Sequence, residues 1–469
     1  MKYRSTRGGA PAAGFEDVLL AGLAPDGGLY VPESWPRISA EEAAGFRGRP
    51  YGEIAAAVMG RFTGGAFTEA RLSEIAREVY GAFEHDDVAP LVRVGEEDWI
   101  LELFHGPTLA FKDFAMQLLG WLFDDALSRR GERLTIIAAT SGDTGAAAIE
   151  ALKRCRQIDI VVLHPEGRVT DVQRRMMTTV DAPNVCNIAI EGSFDDCQAI
   201  VKALFADRPF AEKVRLSGVN SINWARLAAQ TVYYFTSVAA IAAQGEKVSF
   251  VVPTGNFGDV YAGYAAKKMG LNIDRLGVAV NANDILHRAM STGAYAPAAV
   301  APTFSPSMDI QVASNFERLL FDVMNRDAAA VRGKMTAFAR DGEMGLSETE
   351  RARIAEDFVS CSVNEAETLA EIKRHNEETG ALIDPHTAVA RHAARHLRQA
   401  GALDGKIVTL STAHPAKFPD AVSRATGVKP DLPPAHENLF DLPEAMARAS
   451  ADKEAVKRII LDRAAGAKR

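Results

Sequence analysis

The chain has 469 residues, 47% hydrophobic and 24% charged, an ordinary globular composition that excludes disordered and collagen-like chains. Its 53 Lys and Arg against 61 Asp and Glu give a net charge of −8, and no dense basic run offsets it, which argues against a nucleic-acid binder. Roughly 150 residues per domain predicts about three domains. Cys155, Cys186, Cys197 and Cys361 follow no metal or disulfide spacing, so no metal site is expected, and the usage suits a reducing cytosol. The N-terminus lacks a signal-peptide profile. The most apolar stretch, 232–243, is too short to span a bilayer. The expectation is a cytoplasmic protein with no membrane and no nucleic-acid partner.

In chain order, residues 1–92 read as an N-terminal unit of short helices, 39–46 and 69–83, between Pro- and Gly-rich loops. From residue 98 apolar strands alternate with amphipathic helices. Strands are predicted at 99–104, 134–140, 158–163, 185–189, 248–253, 276–280 and 407–412. Helices are predicted at 109–129, 144–154, 194–206, 224–243, 260–269 and 387–400. The tail after Pro434 reads as a polar loop and one helix, 453–464. Alternation of this kind predicts an α/β fold with doubly wound parallel sheets. The expected domains are 1–92, a core of 93–440 containing a smaller α/β subdomain at about 125–215, and a helical tail of 441–469. In such folds ligands bind beyond the carboxyl ends of the strands.

Five strand ends carry candidate chemistry. In 101–114 (LELFHGPTLAFKDF) a helix opening near Thr108 puts Lys112 on an apolar stripe with Leu109, Met116, Leu119 and Phe123. Desolvation there disfavours the ammonium and yields a nucleophilic amine; a lysine snorkelling from the rim is the alternative. In 140–148 (TSGDTGAAA) Ser141, Gly142, Asp143 and Thr144 lead into a helix whose free N–H groups suit an anion, unless Ser141 or Asp143 simply caps it. In 253–259 (PTGNFGD) Gly255, Asn256, Phe257, Gly258 and Asp259 form a turn whose amides can wrap a phosphate.

In 220–226 (NSINWAR) Asn220 and Ser221 precede a helix with Arg226 in its first turn. A cation there opposes the helix dipole unless an anion is bound, though a surface arginine behind an Asn223 cap fits the pattern too. In 410–419 (LSTAHPAKFP) the hydroxyls of Ser411 and Thr412 end a strand ahead of His414 and Lys417. Asp384 and Pro385 read as a helix start, and 314–318 (SNFER) as part of an amphipathic helix.

Taken together and in this order, these segments resemble threonine synthases of the longer branch, in the fold type II (tryptophan synthase β-like) class of pyridoxal-phosphate enzymes. The resemblance runs from 3–8 (YRSTRG) and 27–32 (GGLYVP) to about Pro430. It implies pyridoxal 5′-phosphate as cofactor, in a large and a small domain plus an N-terminal unit. Lys112 is then the Schiff-base lysine and the returning acid and base. The 255–259 turn cradles the cofactor phosphate, and Thr412 faces the pyridine nitrogen, with Ser411 as the alternative.

Ser141, Gly142 and Thr144 receive the substrate carboxylate, with Asp143 against the cofactor. Many relatives have Asn where this chain has Asp143, so that aspartate must be protonated, share a proton, or face an N–H. Asn220, Ser221 and Arg226 hold the substrate phosphate. The implied reaction turns O-phospho-L-homoserine and water into L-threonine and phosphate by γ-elimination and β-hydration, the last step of threonine biosynthesis. Two phosphates and a carboxylate explain three anion-binding strand ends on an acidic chain. The alternatives are a non-catalytic cofactor-binding relative or an amino-acid dehydratase, and Arg226 discriminates against the latter, which needs no second phosphate site. The expected assembly is a monomer or homodimer.

Overall fold

A computed structural model of the protein describes residues 1–243 and 245–466. The chain forms two compact units. The larger comprises Met1–Ala115 and Ser221–Pro430, and the smaller 116–220 with the described residues from Asp431 onward.

The larger unit is built on a six-stranded sheet in the order Phe358–Ser362, Ile273–Val280, Val248–Pro253, Lys406–Ser411, Asp98–Glu102, Leu91–Arg93. All neighbours are parallel except the last, an antiparallel edge pair. Val248–Pro253 is buried at every position, as a parallel strand covered on both faces must be. Register places Ser411 beside Glu102 and Thr409 beside Val251. The carboxyl ends of Asp98–Glu102, Lys406–Ser411 and Val248–Pro253 therefore lie side by side, about 4.8 Å apart per strand. This brings three of the singled-out turns to one edge of one sheet.

The N-terminal strands Tyr3–Ser5 and Tyr30–Pro32 pair antiparallel within the same unit. Tyr3 packs onto the helix Trp224–Ile241, its ring 6.0 Å from that of Trp224, which also lies 5.7 Å from Phe62 of the helix Tyr51–Thr63. Tyr3 satisfies its buried hydroxyl on the Phe62 carbonyl, 2.6 Å.

The smaller unit holds a five-stranded parallel sheet in the order Ala447–Ser450, Val185–Glu191, Ile158–Pro165, Leu134–Ala139, Leu216–Ser217. One face is covered by Cys197, Ile200 and Leu204 of the helix Phe194–Ala206 and by Val456 and Ile460 of the tail helix Lys453–Gly466.

Most predicted strands stand within two residues of the expected bounds, and the sheet strand beginning at Ile273 starts three residues earlier than expected. Among the described residues, four strands of the two large sheets, Leu91–Arg93, Leu216–Ser217, Phe358–Ser362 and Ala447–Ser450, were not expected, nor were the four short strands of the two-stranded pairs. The tail therefore contributes a strand as well as a helix. Phe358–Ser362 follows the helix Glu348–Asp357 without a loop, so no turn residue marks its start. The helix expected to open near Thr108 begins at Lys112. Leu109 takes a left-handed backbone, φ 56°, which no helix accommodates.

Candidate active site

Lys112 is set by a turn that its own helix captures. Asp113 accepts hydrogen bonds from Thr108 N–H and Thr108 Oγ1, both 2.7 Å, closing 108–113 into a loop. Gly106 is required there, because a Cβ would lie 2.6 Å from Asp113 Cβ. The adjoining strand end fixes the loop from the other side. Phe111 N–H donates to Thr412 O at 2.9 Å, His414 N–H to Leu109 O at 3.0 Å, and Lys417 Nζ to Thr108 O at 2.6 Å. Lys112 is 8% exposed, so it is no snorkelling rim lysine. Its Nζ lies 3.5 Å from Ser307 Oγ and 5.0 Å from the Phe111 ring centre.

Behind Ser307, its N–H donates to His386 Nε2 at 3.3 Å, and His386 Nδ1 meets Asp384 Oδ2 at 2.6 Å. An accepting Nε2 puts the ring proton on Nδ1, facing the carboxylate. Asp384 also caps its helix through Thr387 and His386 N–H, with Pro385 in the first turn as expected.

The hydroxyl pair is divided by this network. Thr387 Oγ1 donates to Asp384 Oδ1, so Ser411 Oγ, 2.9 Å from Thr387 Oγ1, must be the donor to it. Thr412, 6% exposed, has no side-chain hydrogen bond among the described residues.

The 254–259 turn follows Val248–Pro253. Thr254 ties back to Val252 O and Ala279 O. Gly255 is forced by packing, since a Cβ would lie 2.7 Å from Ser307 O. Phe257 takes φ 64° and precedes the helix Gly258–Met269, two residues longer than expected at its start. Among the described residues, the N–H groups of Gly255 to Gly258 find no protein acceptor. Free amides at a helix start are the donor set that an anion requires. Asp259 instead points into the core and accepts from Tyr233 and Tyr234 hydroxyls. Burial raises its pKa to about 6, against the opposing pull of both tyrosines and Lys112.

Arg226 stands in the first turn of Trp224–Ile241 behind an Asn223 cap, but it is no surface arginine. It is 4% exposed, and burial lowers its pKa to about 10. Ser221 is half-buried in the larger unit, whereas Asn220 is exposed and ends the 116–220 segment of the smaller one.

In the smaller unit, the Leu134–Ala139 and Leu216–Ser217 strands are neighbours, so Ser141 and Asn220 both lie beyond adjacent strand ends. The helix Asp143–Leu152 is capped by neither Ser141 nor Asp143. Thr140 Oγ1 accepts from Gly142 and Gly145 N–H at 3.0 and 2.9 Å. Gly142 takes φ 133°, and a Cβ there would strike the Gln173 amide at 2.4 Å. That amide donates to Asp143 Oδ1 at 2.9 Å. Gln173 escaped the sequence reading, although 170–173 (TDVQ) carries the capping-box pattern that the structure realises.

A buried lysine, an anion-ready turn with unspent amides and an uncommitted hydroxyl on three adjacent parallel strand ends fit a phosphorylated aldehyde. The fold and this donor set define a fold type II pyridoxal-phosphate enzyme. Three family profiles match in order: threonine synthase N terminus over residues 2–80, pyridoxal-phosphate dependent enzyme over 89–413, and threonine synthase C-terminal over 387–460. The chain is 51% identical to threonine synthase of Pseudomonas aeruginosa, covering 96% of this chain and 97% of that one. It is 42% identical to that of Corynebacterium glutamicum over 98% of each. Its structure is similar to that of a pyridoxal-phosphate-bound threonine synthase from Brucella melitensis, with a TM-score of 0.95, 50% identity and 99% of both chains covered. The chain belongs to the threonine synthase family of pyridoxal-phosphate-dependent enzymes.

Proposed function

We propose that the chain converts O-phospho-L-homoserine and water to L-threonine and phosphate. The observation that carries this is kinship over nearly the whole chain, 51% identity across 96% of it, with a buried lysine at the sheet edge where the family chemistry needs one. Bound pyridoxal 5′-phosphate supplies an electron sink for carbanion chemistry at the substrate α-carbon.

The residues divide the remaining work. Lys112 Nζ would hold the cofactor covalently and, once freed by the substrate amine, would serve as the proton-carrying group at the substrate α- and β-carbons, giving up the α-proton before it takes the β-proton. Its burial keeps bulk water away from the amine in both roles. The amides of 255–258 bind the cofactor phosphate, and Asp259 anchors the turn from beneath through Tyr233 and Tyr234. Thr412 Oγ1 offers a neutral hydroxyl to the pyridine nitrogen; a hydroxyl cannot balance a full ring charge as a carboxylate would.

Ser141, Gly142 and Thr144 bind the substrate carboxylate. Asp143, accepting from Gln173, holds a carboxyl against the cofactor. Ser221 and Arg226, with Asn220, bind the substrate phosphate. A guanidinium that burial has driven down to about 10 gains most from an anion beside it. We place the enzyme in the cytoplasm, as a monomer or homodimer acting on a free small molecule with no membrane or nucleic-acid partner. The net charge of −8 and four free, buried thiols support that placement. Among the described residues no helix is long and apolar enough to cross a membrane.

The test is to supply the purified enzyme with O-phospho-L-homoserine and measure products. Threonine and phosphate in equal amounts are expected. A 2-oxo acid from unphosphorylated hydroxy-amino acids, without phosphate release, would indicate a dehydratase; bound cofactor with no turnover would indicate a non-catalytic relative.

A further inference from the structure

The 314–318 segment has no role in the reading above, yet it joins the two turns of the larger unit assigned to phosphates. Asn315 Nδ2 donates to Asn256 O at 3.1 Å and to Ser221 O at 3.2 Å. Asn315 N–H adds a second bond to Asn256 O, 3.1 Å, and Ser314 Oγ reaches Asn256 Oδ1 at 3.1 Å. The three segments converge on Gly258. A Cβ there would lie 3.4 Å from Asn315 Nδ2 and 3.8 Å from Ser221 Cβ.

The orientation of the Asn315 amide is itself fixed. Arg318, fully buried, donates to Asn315 Oδ1, to Ile222 O at 2.6 Å and to Tyr30 O at 3.0 Å. An amide whose oxygen is held by a guanidinium must turn its nitrogen toward the two carbonyls. Glu317 secures the same segment to the N-terminal strand region, accepting from Thr6 Oγ1 at 2.6 Å and Arg7 Nη2 at 2.8 Å. Tyr30 lies in the second N-terminal strand, so residues 1–92 brace the segment at two points.

We infer that Asn315 is a positioning residue that sets the 255–259 turn against the 221–226 turn, so that one amide tunes the affinity for both cofactor phosphate and substrate phosphate. The inference rests on the assignment of those two turns in the proposed function. Ser314 differs usefully from Asn315. Its hydroxyl bonds only Asn256 among the described residues, so it reaches one turn and not the other.

The experiment uses the full-length holoenzyme. Cofactor affinity is read from the loss of visible absorption on serial dilution, and KM for O-phospho-L-homoserine is measured at saturating cofactor. Ser314→Ala should weaken cofactor binding and leave KM within about twofold. Asn315→Ala should weaken both, each by roughly 5- to 150-fold, the cost of a buried hydrogen bond left unmade. Its kcat with both ligands saturating should stay within about threefold, a split that general loss of structure does not produce. If Asn315→Ala is insoluble, Asn315→Asp keeps the acceptor for Arg318 while losing the amide donor, and the same double loss is expected.

Unchanged affinities in the Asn315 variants, or a fall in kcat alone, would overturn the inference. Gly255→Ala separates this from failure of the underlying assignment, because its Cβ collides with Ser307 O. If Gly255→Ala weakens cofactor binding and Asn315→Ala does not, only the inference fails. If neither does, the 255–259 turn is not the cofactor phosphate site, and both fail.

Discussion

Ser411 Oγ lies 2.9 Å from Thr387 Oγ1, and Thr387 spends its own proton on Asp384. Ser411, the last residue of its strand, is thereby a structural donor, while the adjacent Thr412 has no side-chain hydrogen bond among the described residues.

Thr412→Val should therefore keep the fold and the bound cofactor, shift the visible spectrum, and slow turnover by roughly 3- to 100-fold, the range for one hydrogen bond to a polar or charged partner. Ser411→Ala should instead lower the melting temperature with little spectral change. Absorbance spectra and steady-state rates of the two variants check this; reversed phenotypes would exchange the roles.

Arg226→Ala should cost roughly 10- to 150-fold in kcat/KM for O-phospho-L-homoserine, the value of a charge-assisted hydrogen bond of about 1.5–3 kcal/mol. Cofactor affinity should change much less if, as proposed, the 255–259 turn binds that phosphate separately. Collapse of cofactor binding with unchanged substrate preference would mean that the two phosphate sites are the other way round.

Glu444 gives a pH-dependent handle on the smaller unit. Hydrogen bonds from Arg174 and Thr178 hold its pKa down to about 2, despite partial burial. A carboxylate with a lowered folded pKa contributes stability that is present above its unfolded value, near 4.5, and is lost as pH falls toward 2. Glu444→Gln should lower stability at pH 7 by about 1–3 kcal/mol. It should also flatten the acid limb between those values. Denaturant melts of wild type and variant across that range measure it, and identical acid limbs would contradict it.

The candidate site was readable as a set of positions because its residues sit at strand ends in short contiguous motifs. Lys112, the 255–259 turn and Thr412 each follow an apolar strand, and the sheet order makes neighbours of those strands. Their partners were not legible. Gln173 reaches Asp143 from 30 residues away, Ser307 reaches Lys112 from 195, and Arg318 reaches Tyr30 from 288. No local pattern encodes such distances. The helix start was misplaced because an apolar stripe through Leu109 ignores what Asp113 does to the preceding turn. Burial of Arg226 was likewise hidden: a first-turn arginine looks the same in sequence whether it faces water or the core.

Replacing the lysine bears on the chemistry itself. Lys112→Ala should lose the covalent cofactor linkage and roughly 10³-fold or more in rate, because nucleophile and base vanish together. A variant that retained the native visible band and its turnover would show that another amine does this work.

The most direct test locates that amine. Two lysines in the larger unit are buried next to the same turn, Lys112 and Lys417, and Lys417 Nζ is already bonded to Thr108 O at 2.6 Å. Borohydride reduction of the holoenzyme followed by peptide mass mapping should find the pyridoxyl group on the peptide bearing Lys112 and on no other. A pyridoxyl group on Lys417, or no covalent adduct after reduction, would contradict the account.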